Sequence, residues 1–200
     1  MAITNGYCTV AEAKAQLWPA DAPVYTTEDT TLERMISFAS RKIDNDTNRR
    51  FWVNSVDETR YYNAEKSNYS RIYIDDLVSI TTLKADIDMD RVYETTFATT
   101  DYDLMPENAP LLGQPYTFIQ VVPLNVTGRY FPKQPKGVQL VGKFGWSAVP
   151  DEIKEACLIK VQIEYWIKNG FGGVSPKQTI DTLEKRYQDI IVTMTKYWAK

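Results

Sequence analysis

The stretch GKFGWSAVPDEIKEA, Gly142 to Ala156, carries the change of structural period on which the fold turns. Before it, Val138 to Val141 has the apolar, β-branched character of a strand. Gly142 and Gly145 then bracket Lys143 and Phe144. Trp146 follows, and Pro150 opens a helical pattern. The GxxG spacing is that of the loop with which KH domains clamp a nucleic-acid backbone, but that loop joins two helices. A phosphate-binding P-loop is excluded too: a single residue separates Val141 from Lys143, and neither Ser nor Thr follows the lysine. Glycines at the end of a strand permit a bend or a close backbone approach. Here they return the chain from strand to helix.

Downstream, Pro150 suits the first position of a helix, and Asp151, Glu152 and Glu155 place negative charge at its positive end. Ile153, Ala156, Cys157, Ile159, Val161, Ile163, Trp166 and Ile167 cover more than one face, so this helix is expected to be central. Asn169-Gly170 ends it. Ser175-Pro-Lys-Gln178 restarts a helix with a capping box. Ile180, Leu183, Tyr187, Ile190, Met194 and Tyr197 then form a heptad-like seam. Upstream, Thr9 and Glu12 have capping-box spacing for a helix to Trp18. A second helix starts near Asp29 or Thr30. It carries a stripe of Leu32, Ile36, Ala39 and Ile43, widened by Met35 and Phe38, and frays over Asp44 to Arg50.

Between these pairs of helices the period changes to two. Thr59–Tyr62, Arg71–Ile74, Ser79–Ala85, Tyr116–Val122 and Gly137–Trp146 are rich in β-branched and aromatic residues and are separated by turn-forming segments. Short connections favour an antiparallel sheet. The expected fold is therefore α+β: a small four-helix bundle, residues 1–55 and 147–200, interrupted by an antiparallel β-rich insertion, residues 56–146.

Composition narrows the function. The 200 residues are 44% hydrophobic and 24% charged, ordinary globular values, with a formal net charge of -3 and no basic run, so strong DNA binding is not expected. Histidine is absent, which removes Ser-His and Cys-His nucleophiles and most zinc sites. Cys8 and Cys157 are too few for a disulfide scaffold and point to a reducing compartment. The N-terminal MAITNGYCTV does not resemble a signal peptide, and no apolar run approaches a membrane span.

The remaining motifs read as surface features. Asp86-Ile-Asp-Met-Asp90 opens like an EF-hand loop, but Arg91 stands where glycine is needed and Phe97 where glutamate is, so a solvated hairpin turn is expected. Asp75 and Asp76 point to opposite faces of a strand and do not converge on one substrate. Asn48-Arg49-Arg50 reads as ordinary surface charge. No catalytic, metal or cofactor residues are assigned.

Taken in order, several segments resemble the head-tail connector, or adaptor, proteins of long-tailed bacteriophages and related gene-transfer particles. They are Tyr7-Cys-Thr-Val-Ala-Glu-Ala-Lys14, Ala39-Ser-Arg-Lys-Ile-Asp-Asn-Asp-Thr-Asn-Arg-Arg-Phe51, Thr59-Arg-Tyr-Tyr62, Ile74-Asp-Asp-Leu-Val-Ser-Ile80, Thr100-Asp-Tyr-Asp-Leu104, Pro115-Tyr-Thr117 and Gly142 to Ile153. The resemblance implies a non-catalytic structural protein of the virion neck, assembled in the host cytoplasm. It implies a ring, usually twelvefold, that docks beneath the portal protein, meets a stopper or tail-completion protein, and lets DNA pass without specific binding. No membrane takes part. Met194, Tyr197 and Trp198 are either tucked onto the protein's own surface, the default for an aromatic stripe, or reserved for a partner; the family's use of its C-terminal segment implies portal contact through them. Alternatives are a stopper or tail-completion ring, a carbohydrate-binding β-domain using Tyr61, Tyr62, Tyr69 and Tyr73, or a cell-wall glycoside hydrolase. The last needs two acids about 5–9.5 Å apart across a cleft.

Overall fold

A computed structural model describes residues 3–18, 26–64, 70–122, 128–170 and 176–196. The chain is α+β and divides into two compact units. One joins residues 1–51 with 149–200; the other is the contiguous segment 52–148.

The first unit is helical. Helix α1, Val10–Leu17, starts on the expected capping box: Thr9 Oγ1 accepts the Glu12 N–H at 3.2 Å, and the Glu12 carboxylate accepts the Thr9 N–H at 2.7 Å. Helix α2, Asp29–Thr47, buries Leu32, Ile36, Ala39, Ser40, Ile43 and Thr47. Met35 is half-buried and Phe38 exposed, so the apolar stripe is narrower than the sequence suggests. Helix α2 does not fray at Asp44; it runs to Thr47 and ends on Asn48 in the left-handed conformation, φ 52°. Helix α3, Asp151–Asn169, packs against α1, α2 and α4, which is why Ile153, Ala156, Cys157, Ile159, Val161 and Ile163 are all buried. Pro150 sits one position earlier than expected, capping the helix with ψ 148° rather than starting it. Helix α4, Pro176–Met194, buries Tyr187 and Ile191 and leaves Ile180, Leu183, Ile190 and Met194 half-buried. Ser175 of its expected capping box lies outside the described residues.

A buried phenol ties the helical segments together. Tyr7 donates its hydroxyl hydrogen to Asp44 Oδ1 and accepts the Phe51 N–H at 3.0 Å, while its own N–H donates to Ser40 Oγ at 3.0 Å. Its ring meets Phe51 edge-on, centroids 5.8 Å apart. Desolvation, then the Asp44 carboxylate, push the phenol pKa well up, so the hydroxyl remains a donor.

The second unit is a six-stranded antiparallel sheet: β1 Glu58–Tyr62, β2 Arg71–Ala85, β3 Thr95–Thr96, β4 Tyr102–Met105, β5 Tyr116–Val121 and β6 Val138–Phe144. The order is β1-β6-β2-β5-β4, with β3 paired to the end of β2. Residues 71–74 and 79–85 belong to one fifteen-residue strand rather than two. Asp75 and Asp76 do not interrupt it, because each carboxylate has a partner. Register shifts between Tyr73 and Leu77 and between Ile80 and Thr82 bend the strand. The sheet curls as a result, and Arg60 and Tyr62 of β1 reach past β6 to Asp75 of β2, at 2.7 and 2.8 Å.

Both glycines of the opening stretch are required by close approach. A Cβ on Gly142 would lie 2.3 Å from the Ser79 carbonyl oxygen, and one on Gly145 would lie 1.8 Å from that of Trp52. Gly145 also has φ 120°. Its N–H donates to the Asp76 carbonyl at 2.7 Å, and Trp146 Nε1 donates to Asp76 Oδ2 at 2.9 Å. Gly145→Ala is expected to cost about 3 kcal/mol or more, since the obstacle is backbone, and chemical denaturation followed by tryptophan fluorescence would measure it. A loss under about 1 kcal/mol would contradict the close approach.

Candidate interaction surfaces

The sequence placed a partner contact at Met194, Tyr197 and Trp198. Tyr197 and Trp198 lie outside the described residues. Met194 is the last residue of α4, half-buried, and its carbonyl accepts Arg49 Nη1 at 3.4 Å. Two residues on, the Lys196 N–H donates to the Thr47 carbonyl at 3.1 Å. Arg49 and Thr47 stand at the C-terminal end of α2. That end carries exposed carbonyls, which suit an N–H donor. Arg49 is therefore not plain surface charge: it binds the end of α4. Sequence reasoning missed it because the residues it joins are 145 apart.

The middle of α4 is anchored by polar contacts. Tyr187 is fully buried and donates its hydroxyl to Asp46 at 2.8 Å. Lys160 of α3 lies 4.7 Å from the Tyr187 ring centroid and bridges to Glu184 at 2.8 Å. Arg186 reaches Glu155 at 3.0 Å. The outer face is left to Lys177, Asp181, Lys185, Asp189 and Val192, all exposed.

Helices α2 and α3 frame an open groove of about 460 Å³. It is floored by Met35 and Phe38 and rimmed by Glu33, Arg34, Glu164 and Lys168. Phe38 is 55% exposed and Ile167 of α3 is 63% exposed. Phe38, a large apolar side chain turned to solvent in this groove, marks a candidate contact surface.

In the sheet unit, the carboxylate oxygens of Asp86, Asp88, Asp90 and Glu94 lie within 4.8 Å of one another. Such an oxygen set could hold a hard divalent cation. Backbone donors already occupy much of it: Asp86 accepts the Met89 and Arg91 N–H groups at 2.8 and 3.1 Å, Asp90 accepts that of Val92, and Glu94 that of Ile87. Desolvation and the neighbouring carboxylates raise the pKa of Asp88. Arg91, standing where an EF-hand loop needs glycine, takes φ 72° all the same, held by Asp86 and by its own side chain on the Pro135 carbonyl.

Asp75 and Asp76 face opposite ways. Asp75 meets Arg60 and Tyr62, and buried Asp76 meets Trp146. Tyr61 and Tyr73 are each paired with another ring, Tyr93 at 5.7 Å and Phe118 at 5.8 Å, and Tyr62 is turned to Asp75. They do not form one row, and Tyr69 lies outside the described residues. Among the described residues of this unit, the most exposed large apolar side chains are Leu111 and Leu112, 84% and 70%, at a tight helical turn before Gly113.

No protein-family model matches the chain, and no curated protein matches its sequence. A solved chain described as "Neck of empty GTA particle computed with C6 symmetry" is similar in fold, with a TM-score of 0.58 and 16% sequence identity. The likeness covers 100% of this chain and 95% of that one. Similarity of that extent shows that the two chains share a fold across both units.

The groove and the core beside it make a direct contrast. Phe38→Ser is expected to change stability by no more than about 0.5 kcal/mol, because the side chain is exposed. Ile36→Ser, two residues away and 0% exposed, is expected to cost about 3 kcal/mol or more. Urea titrations of both variants would check this, and equal losses would place Phe38 in the core.

Proposed function

We propose that this chain is a structural component of a phage-like particle neck. In our reading it is a ring-forming adaptor that docks beneath the portal and extends the DNA channel toward the tail. The observation that carries the reading is the fold shared over the full length with a chain from the neck of an empty GTA (gene transfer agent) particle. The order of sequence segments resembling head-tail connectors points the same way. The helical unit, read as a four-helix bundle, would supply the ring body, and the β insertion its elaboration. The C6 symmetry belongs to the neighbour's particle; six or twelve copies of this 23.0 kDa chain are both compatible with it.

The surface chemistry supports a non-catalytic role. The net charge of -3 without a basic stripe suits a channel through which DNA slides without being held. A stopper or tail-completion ring is the second reading within the same class. Carbohydrate binding is less favoured, since the exposed tyrosines lie in separate aromatic pairs. A two-acid hydrolase is less favoured too, because Asp75 and Asp76 face apart.

The docking element in this reading is the chain end beyond Lys196, with Tyr197 and Trp198 as its aromatic anchors. Shortening the chain after Lys196 keeps the Arg49–Met194 and Thr47–Lys196 contacts. The shortened protein is expected to melt within about 2 °C of the full chain yet fail to associate with portal rings in native mass spectrometry. Normal association would move the contact elsewhere, and the α2–α3 groove is the next surface to test. A full chain that forms no higher oligomer, alone or with portal, would refute the ring. On double-stranded DNA at ~150 mM salt, fluorescence anisotropy is expected to give no submicromolar binding; tight, steeply salt-dependent binding would contradict the channel reading.

A further inference from the structure

Cys8 and Cys157 are 149 positions apart in the sequence, yet their sulfurs lie 3.3 Å from each other. Both are free thiols, 6% and 0% exposed. Cys8 immediately precedes Thr9, the cap of α1, and Cys157 lies in the middle of α3. Ser40 of α2 completes the cluster, its Oγ 3.7 Å from Cys157 Sγ. Ser40 is itself fixed, donating to the Ile36 carbonyl at 2.7 Å and accepting the Tyr7 N–H. A disulfide needs about 2.05 Å between sulfurs. The gap to be closed is therefore about 1.2 Å, within reach of side-chain rotation and a small backbone adjustment.

We infer that Cys8 and Cys157 form a reversible disulfide site that bolts the N-terminal segment to α3. The two thiols are chemically distinct. Donation from Cys8 and contact with Ser40 outweigh burial and hold the Cys157 thiol below its ordinary range, whereas Cys157 and burial push the Cys8 thiol up. With the Cys8 hydrogen and the Ser40 hydroxyl both set against the Cys157 sulfur, Cys157 serves as the attacking sulfur and Cys8 as the resolving one. A peroxide is small enough to serve as oxidant at a buried site. The Cys157 thiolate attacks one peroxide oxygen, which gives the sulfenic acid and releases hydroxide. The Cys8 sulfur then displaces the sulfenic hydroxyl, forming the S–S bond. In net terms, two thiols and one hydrogen peroxide give one disulfide and two waters. In a reducing compartment the pair stays as dithiol; in an oxidising medium it closes. The bond would join the two sequence-remote halves of the helical unit and so restrict its unfolded state. This inference does not depend on the neck reading.

The test uses the full-length protein in two ways. Native protein is treated with hydrogen peroxide. Separately, denatured and reduced protein is refolded in a glutathione redox buffer, so that burial cannot block access. The expected result of both treatments is an intact mass lower by two hydrogens, faster migration on a non-reducing gel, and a melting temperature several degrees above the reduced form. Dithiothreitol should reverse all three. Cys8→Ser and Cys157→Ser should show neither the mass change nor the oxidant-dependent rise. Refolded wild-type protein that keeps both thiols titratable, carries a glutathione adduct on one, or links into disulfide dimers would overturn the proposal.

Discussion

The hydroxyl of Tyr7 is satisfied on both sides inside the helical unit. It gives its hydrogen to Asp44 on α2 and takes one from the backbone of Phe51, four residues after α2 ends. A buried phenol is stable only with such partners, and each partner would be costly to leave unmatched. The N-terminal segment therefore has one seat. From it follow the Tyr7 N–H on Ser40, the placing of Cys8 against Cys157, and the start of α1 at Thr9. Phe51, held at the same point, is the last residue of the helical unit before the chain enters the sheet.

The sheet unit depends on a comparable constraint of another kind. Backbone must approach backbone at Gly142 and Gly145, where no side chain fits. Asp76 secures the second approach with two groups at once, its carbonyl on Gly145 and its carboxylate on the Trp146 indole. A buried carboxylate in mid-strand is tolerable because it is hydrogen-bonded. Its neighbour Asp75 lies on the opposite face and holds Arg60 and Tyr62. Adjacent acids thus fasten two different parts of a curled sheet.

Local chemistry was legible in the sequence. The capping box at Thr9 and Glu12, the face of Leu32, Ile36 and Ile43, the many-sided burial of α3, and the alternation in β1 and β6 all depend on nearest neighbours or on a fixed period. What escaped was long-range. Nothing in a run containing Asp75 and Asp76 announces that partners elsewhere let one strand continue through it. The short strand Tyr102–Met105 lies between polar turns and exists because β5 offers it a ladder. Phe38 fits the apolar stripe by period alone, but among the described residues no element covers it. At the candidate contact surfaces the same limit applied: the link from Arg49 to the end of α4 and the meeting of two cysteines are products of the folded chain, not of any local pattern.

The division of the helical unit into 1–51 and 149–200 has a consequence for synthesis. As the chain leaves the ribosome, α1 and α2 emerge with Ala13, Leu32, Ile36 and Ile43 uncovered, for their packing partner α3 has not been made. At about 5–20 residues per second, the intervening segment of roughly 100 residues delays that partner by about 5–20 s. During the wait the sheet, contiguous in sequence, can complete its own ladder. Translation thus sets an order of opportunity: the second unit can mature first, and the helices of the first close only once α3 has been made.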